Sequence, residues 1–174
     1  MKRIFCLLPG FLLMLACQKV EKAQEKTAIA PEGMGTTEVL KQEEVPSLSV
    51  ANVVLKPGTQ EAFTLTVEIA QTPEERRQGL QGRDNLPNNH GMWFVFEEDV
   101  QDPFWMHNTP IALDILFIGA DYKIVDIVAN TIPNSDDLIV SRQPYRFALE
   151  VASGVSGRHG LQVGEMVEFR LGPP

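Results

Sequence analysis

The sequence predicts a mainly β domain with two short helices, an α+β fold whose strands close into a small barrel-like or rolled antiparallel sheet. Three observations lead there. Between residues 48 and 171 the chain offers five to seven short runs, apolar or strictly alternating, broken by Gly, Pro, Asn and Asp. Its helix signals are brief, too brief for a bundle. Nothing supplies the long crossover helices of a parallel α/β sheet.

In chain order, the folded part starts near Leu48 and continues to the end of the chain as one domain, 48–174. Residues 63–69 (FTLTVEI) alternate apolar and polar without exception, the period of a half-buried strand. Thr72, Pro73 and Glu75 then give an N-cap, a proline where the helix has no use for an N–H, and a carboxylate able to reach back to the cap. That capping box opens a short helix ending at Gly79 or Gly82. Residues 91–96 (GMWFVF) are apolar on both faces and read as a central strand. Residues 113–118 (LDILFI) do too, with Asp114 as the one exception. Gly119-Ala120-Asp121-Tyr122 is a hairpin turn into a strand over 123–128. Residues 132–145, with Pro133, Pro144 and several turn formers, read as a surface loop. Phe147, Leu149 and Val151 alternate with Arg146, Ala148 and Glu150, so 146–151 is a strand with two different faces. A short glycine-interrupted helix within 153–161 and a closing strand over 166–171 complete the domain.

The front of the chain is different. Lys2 and Arg3 precede a largely apolar run over 4–15, then Ala16 and Cys17. A basic start, a short apolar stretch and a small residue describe a secretory signal, 1–16, and the run is too short to span a bilayer. The ending Met14-Leu15-Ala16-Cys17 resembles the lipobox of bacterial lipoprotein signals. That resemblance implies that Cys17 becomes the lipid-bearing first residue of the mature chain. Gln18 after it implies the outer membrane, with the domain in the cell envelope facing the periplasm. Residues 18–47 are rich in Glu, Lys, Gln, Thr and Ala and lack aromatics, so they read as a flexible tether with a reach of roughly 30 Å.

Cys6 leaves with the signal and Cys17 carries lipid, so the folded part has no thiol for a disulfide, a nucleophile or a thiolate metal site. The full sequence carries 15 basic and 23 acidic residues. Loss of the signal removes only Lys2 and Arg3. An acidic chain without a Lys/Arg stripe excludes nucleic acid as a partner and leaves the lipid as the membrane contact. No phosphate loop, dinucleotide fingerprint or Gly-x-Ser-x-Gly elbow occurs. No cofactor is expected.

The densest chemistry lies in Phe104-Trp105-Met106-His107-Asn108-Thr109-Pro110. Taken with Glu75-Arg76, Gly79-Leu80, Arg83, Gly91-Met92, Leu113-Asp114, Leu149-Glu150, Gly154 and Gly164, this stretch resembles the motif series of a bacterial and archaeal family, domain of unknown function 192. The resemblance covers residues 50–171 and implies a compact, mainly β, barrel-like domain. It implies no reaction. Gln81 and His107 depart from the family, which usually has Met at the first position and often Lys or Arg at the second.

Six residues are candidate ligand-binding groups: Trp105, His107, Asn108, Asp114, Arg83 and Glu150. Asp114 sits in an apolar strand, so it either accepts backbone N–H bonds or pairs with Arg83 to hold a turn, or else lines a pocket. Glu150, on the face opposite Leu149, could meet Arg76, Arg77 or Arg83. Trp105 is either core or, if exposed beside Asn108, a sugar-stacking platform. His107 is a surface or capping residue or a base. His90, His107 and His159 match no known metal spacing, so no metal site is assigned. The leading expectation is a lipid-anchored binding or accessory domain for a small polar ligand, an envelope glycan or a protein. The alternatives are an envelope enzyme using Asp114 and Glu150 as acid and base, and a structural interaction module.

Overall fold

In the computed structural model of the chain, residues 48–172 are described. The signal, Cys17 and the tether fall outside them. Seven strands and two helices make up the described part: β1 (Val50–Leu55), β2 (Phe63–Ala70), α1 (Pro73–Gln78), β3 (His90–Val100), β4 (Leu113–Ile118), β5 (Ile124–Val128), β6 (Tyr145–Ala152), α2 (Val155–Arg158) and β7 (Val167–Leu171). They form one curled sheet, a half-barrel, in the order β5-β4-β6-β3-β2-β1-β7.

The expected antiparallel sheet needs one correction. β2 and β3 pair in parallel, with Val67 opposite Gly91 and Ile69 opposite Trp93. The chain crosses between them through α1 and a loop, so six helical residues suffice and no long crossover helix is needed. All other pairs are antiparallel. At the open side, Ile124 N donates to Glu165 O, Gly164 N to Ile124 O and Val167 N to Tyr122 O. These bonds and the Lys123–Met166 bridge lace the start of β5 to the start of β7, the two ends of the strand order.

Alternation sends the side chains to two separate cores. Leu65, Val67 and Ile69 of β2, Trp93 of β3, Leu116 and Ile118 of β4 and Leu149 and Val151 of β6 fill the inside of the curl. Trp93 stacks between Phe147 and Phe169, with ring centroids 5.2 and 5.3 Å away. The other face carries Met92, Phe94, Leu113, Ile115, Phe117 and Ala148. It too is buried, because α1 and residues 101–112 lie over it. Strands covered on both sides read as continuous apolar runs, which is why 91–96 and 113–118 lack alternation.

Each cover has a local cause. α1 starts as its capping box dictates: Thr72 Oγ1 accepts from Glu75 N at 3.2 Å, and Glu75 Oε2 accepts from Thr72 N at 2.9 Å. Gly79, at φ 46°, ends it with its N–H on Glu75 O. The 101–112 segment is pinned from below by the Tyr145 hydroxyl, which donates to Asp102 O at 2.6 Å. Burial pushes that phenol above its ordinary pKa. Phe104 fills the space beneath, edge-on to Phe94 and Phe117. Residues 132–140, expected as a plain loop, also belong to this layer: Phe104 and Ile139 exchange backbone bonds at 2.9 and 2.8 Å, and Met106 N donates to Ser135 O.

Candidate functional site

The second core is incomplete. Between α1 and the 101–109 segment runs a cleft of about 380 Å³ lined by Arg76, Arg77, Phe94, Phe96, Phe104 and Trp105, with Asp102 at its rim. A narrower slot of about 30 Å³ has Arg76, Arg77, Phe94, Phe104 and Trp105 in common with it and is also lined by Gly79, Thr109 and Glu150. The slot's volume suits one small polar group, about the space of a single water.

Register explains why a carboxylate lies there. Glu68, Met92, Glu150 and Ile115 are successive partners across β2, β3, β6 and β4, so they form one row on the covered face. Glu150 is 5 % exposed, and its neighbours in that row, Met92 and Ile115, are apolar. No cation or hydrogen-bond donor among the described residues meets its carboxyl, and burial alone pushes its pKa up to about 8. At neutral pH Glu150 is therefore mostly the neutral acid, an O–H donor as well as an acceptor. The expected ion pair with Arg76, Arg77 or Arg83 does not form.

Arg76 is held instead by carbonyls. Its Nη1 donates to Val95 O at 2.9 Å and to Gln71 O, and its guanidinium lies 4.9 Å from the Phe96 ring centroid. Val95 O is free to accept because β3 leaves register with β6 between Val95 and Val100. Arg76 thus makes no ion pair among the described residues, and its Nε and Nη2 hydrogens are left over. Arg77, beside it, makes no ion pair among the described residues.

The six predicted residues separate. Trp105 is 44 % exposed and lines both hollows, its ring stacked on His107 with centroids 5.1 Å apart. His107 Nδ1 lies 2.6 Å from Asp136 Oδ1 at the exposed rim. Asn108 shapes the turn: it adopts φ 51°, and its carbonyl accepts from Gly82 N at 2.8 Å, fastening the end of the α1 segment to the loop. Glu150 is the slot's floor.

Asp114 and Arg83 are not part of the site. Asp114 is fully buried on the opposite face, opposite Val151, and accepts from Asn130 N, Ser156 N and Ser156 Oγ at 2.9, 2.9 and 2.6 Å. It holds the segment after β5 and the start of α2 to β4. Arg83 makes a fork to Glu68, 2.6 Å on both arms, two strands away from Glu150. Of the two structural expectations for Asp114, acceptance of backbone N–H bonds is what the structure shows and the pair with Arg83 does not form; Asp114 and Glu150 point to opposite sides of one sheet. Of the other histidines, His159 stacks on Phe63 with centroids 3.9 Å apart and His90 bonds Asn89. No group of three or more His, Cys, Asp or Glu among the described residues is placed to hold a metal.

The DUF192 family, described as "Uncharacterized ACR", matches residues 53–169, and the chain belongs to it. Among solved structures, a Sinorhizobium meliloti 1021 protein described as a candidate transcription regulator is similar at 37% identity and TM-score 0.68, over 71% of this chain and 96% of that one. A protein of unknown function from Novosphingobium aromaticivorans DSM 12444 is similar at 31% identity and TM-score 0.67, over 72% and 89%. No curated protein matches the sequence.

Proposed function

We propose that this DUF192 domain is a binding module of the cell envelope, held to the outer membrane by lipid on Cys17 and facing the periplasm. It takes a small polar ligand into the cleft between α1 and the 101–109 segment. Glu150 is the observation that carries the reading. A carboxyl only 5 % exposed, opening onto a narrow slot and without a protein partner, is largely desolvated at a cost on the order of 1 kcal/mol even when neutral. The fold gains nothing from it, since Met92 and Ile115 on either side fill their positions with apolar side chains. A group kept at such a cost has its hydrogen-bond partner outside the chain.

The cleft's size supports a small molecule over a protein surface, because about 380 Å³ is at the lower end of ordinary ligand pockets. Trp105 gives such a ligand an aromatic wall, and a glycan end group is the second occupant it favours. The paired acid–base enzyme lacks its geometry, with Asp114 saturated on the far face. The description of the Sinorhizobium relative does not carry over to this chain as nucleic-acid binding: 23 acidic against 15 basic residues repel a phosphate backbone.

The test uses Trp105 as its own reporter, because Trp93 is buried. The full chain in lipid nanodiscs is screened by tryptophan fluorescence against small acids, amines and oligosaccharides. Compounds that bind quench or shift the emission, and the response disappears in Trp105→Phe. A screen without responders, or responses that survive that substitution, would sink the reading.

A further inference from the structure

The charges around the cleft say more than that it can bind. Resting on the binding function proposed above, we infer that the ligand is a small organic carboxylate with a flat apolar body and a hydrogen-bond acceptor at its far end. Its carboxylate lies on Arg76 and Arg77, and its acceptor receives the Glu150 proton in the slot.

Three features fix the three parts. Arg76 is pre-positioned by two backbone carbonyls and by Phe96, with its remaining N–H groups unspent and Arg77 alongside. A planar guanidinium fixed this way suits a carboxylate and repels an amine. Phe94, Phe104 and Trp105 form the walls common to the outer cleft and the slot, which suits a flat apolar body. The slot itself holds one small group and ends on a carboxyl that no protein atom engages.

The surroundings of Glu150 decide its protonation in the complex. Met92 and Phe94 of β3 and Leu113 and Ile115 of β4 bring no charge. α1 brings Arg76 and Arg77, and the 101–109 segment brings Asp102 at the outer rim and His107, which is turned to Asp136. Arg146, farther along β6, pairs with Asp99 at 2.9 Å. A ligand carboxylate placed on the arginines brings no positive charge toward Glu150, so the acid stays protonated and donates. A ligand ammonium in the slot would instead take the carboxylate form and release the proton.

The probes are 4-acetylbenzoate, 4-acetylbenzylamine and 4-ethylbenzoate, measured by calorimetry on the full chain in nanodiscs with empty discs as the blank. At about pH 6 the acetylbenzoate binds about tenfold tighter than the other two, since it alone satisfies both ends. Arg77→Gln, an exposed change, weakens it about fivefold or more. Glu150→Gln keeps an N–H donor and holds the affinity within about threefold, whereas Glu150→Leu loses about tenfold. Raising the pH to about 9.5 weakens binding to the wild type and leaves Glu150→Gln unchanged, because the ionised carboxyl has no proton to donate whereas the amide keeps its N–H. Tighter binding of the amine, or binding that strengthens with pH and fails in Glu150→Gln, overturns the inference while leaving the cleft a binding site. If none of the three binds and no compound quenches Trp105, both readings fall together.

Discussion

Glu150 and Asp114 are carboxylates of neighbouring strands with opposite fates, and the difference is donors. Asp114 accepts two backbone N–H groups and a hydroxyl. Asp114→Asn removes one acceptor oxygen and turns an amide toward N–H groups, so it should lower stability by about 2–3 kcal/mol in denaturant melts. Glu150 has no donors. Its pKa rises from 4.5 to about 8 on folding, so the folded state holds a proton that the unfolded state gives up between those values. The contribution is fully present below the unfolded pKa and is lost as pH rises through the folded one. Stability should therefore fall by up to about 5 kcal/mol from acidic pH to just above 8, then level off. Glu150→Gln should flatten that dependence, a change read directly from denaturant midpoints at several pH values. A wild-type curve already flat in this range would mean that the carboxyl is not desolvated.

Among the elements, α1 and the β3–β6 pair set the site. α1 is only six residues long and relies on its cap. Thr72→Ala should cost about 1 kcal/mol and, by loosening Arg76 and Arg77, weaken any cleft ligand more than it weakens the fold. Gly91 answers a close approach: a Cβ there would sit 2.6 Å from the backbone oxygen of Glu150. Gly91→Ala should push β3 off β6 beside the slot and destabilise by about 1–3 kcal/mol, visible as an early melt. Periodicity made much of this legible. The capping box, the 63–69 alternation, the 119–122 turn and the two faces of 146–151 are local signals, and the structure follows them. The parallel β2–β3 pairing was not legible, because which strands meet depends on partners far along the chain. Glu150's isolation was hidden for the same reason. Arg146 and Glu150 read as a polar face that finds cations or water, and only the layer of α1 and residues 101–112 turns that face into an interior. Asp114 was legible as buried and as a candidate acceptor of backbone N–H groups, but not which segments supply them, those after β5 and at α2.

For the whole chain, the proposed anchor predicts location. Cys17→Ser should move the protein from the membrane fraction to the soluble envelope fraction without altering the melting of the domain. Unchanged fractionation would remove the lipid from the account. The acidic balance places the two free arginines of the cleft in contrast with the rest of the molecule, so a diffusing anion meets a repelling surface with one attractive opening. Affinity for a carboxylate ligand should then fall with added salt as the exposed Arg77 contact is screened, in equilibrium titrations at several ionic strengths. Nothing in the sequence marked Arg76 and Arg77 as lacking an ion pair, since Glu74 and Glu75 precede them and would balance them on paper. In the fold Glu75 is committed to the cap.

β1 pairs on one side with β2 and on the other with β7, Ala51 facing Leu171 across the ladder. The first strand of the domain is thus completed by the last. During synthesis, β1 has a bare edge until nearly the whole chain has emerged. Such a closure has high contact order and is slow, so the nascent chain stays unfolded for most of its synthesis. Removing residues 167–174 should leave a species that collapses without a cooperative transition and is rapidly proteolysed.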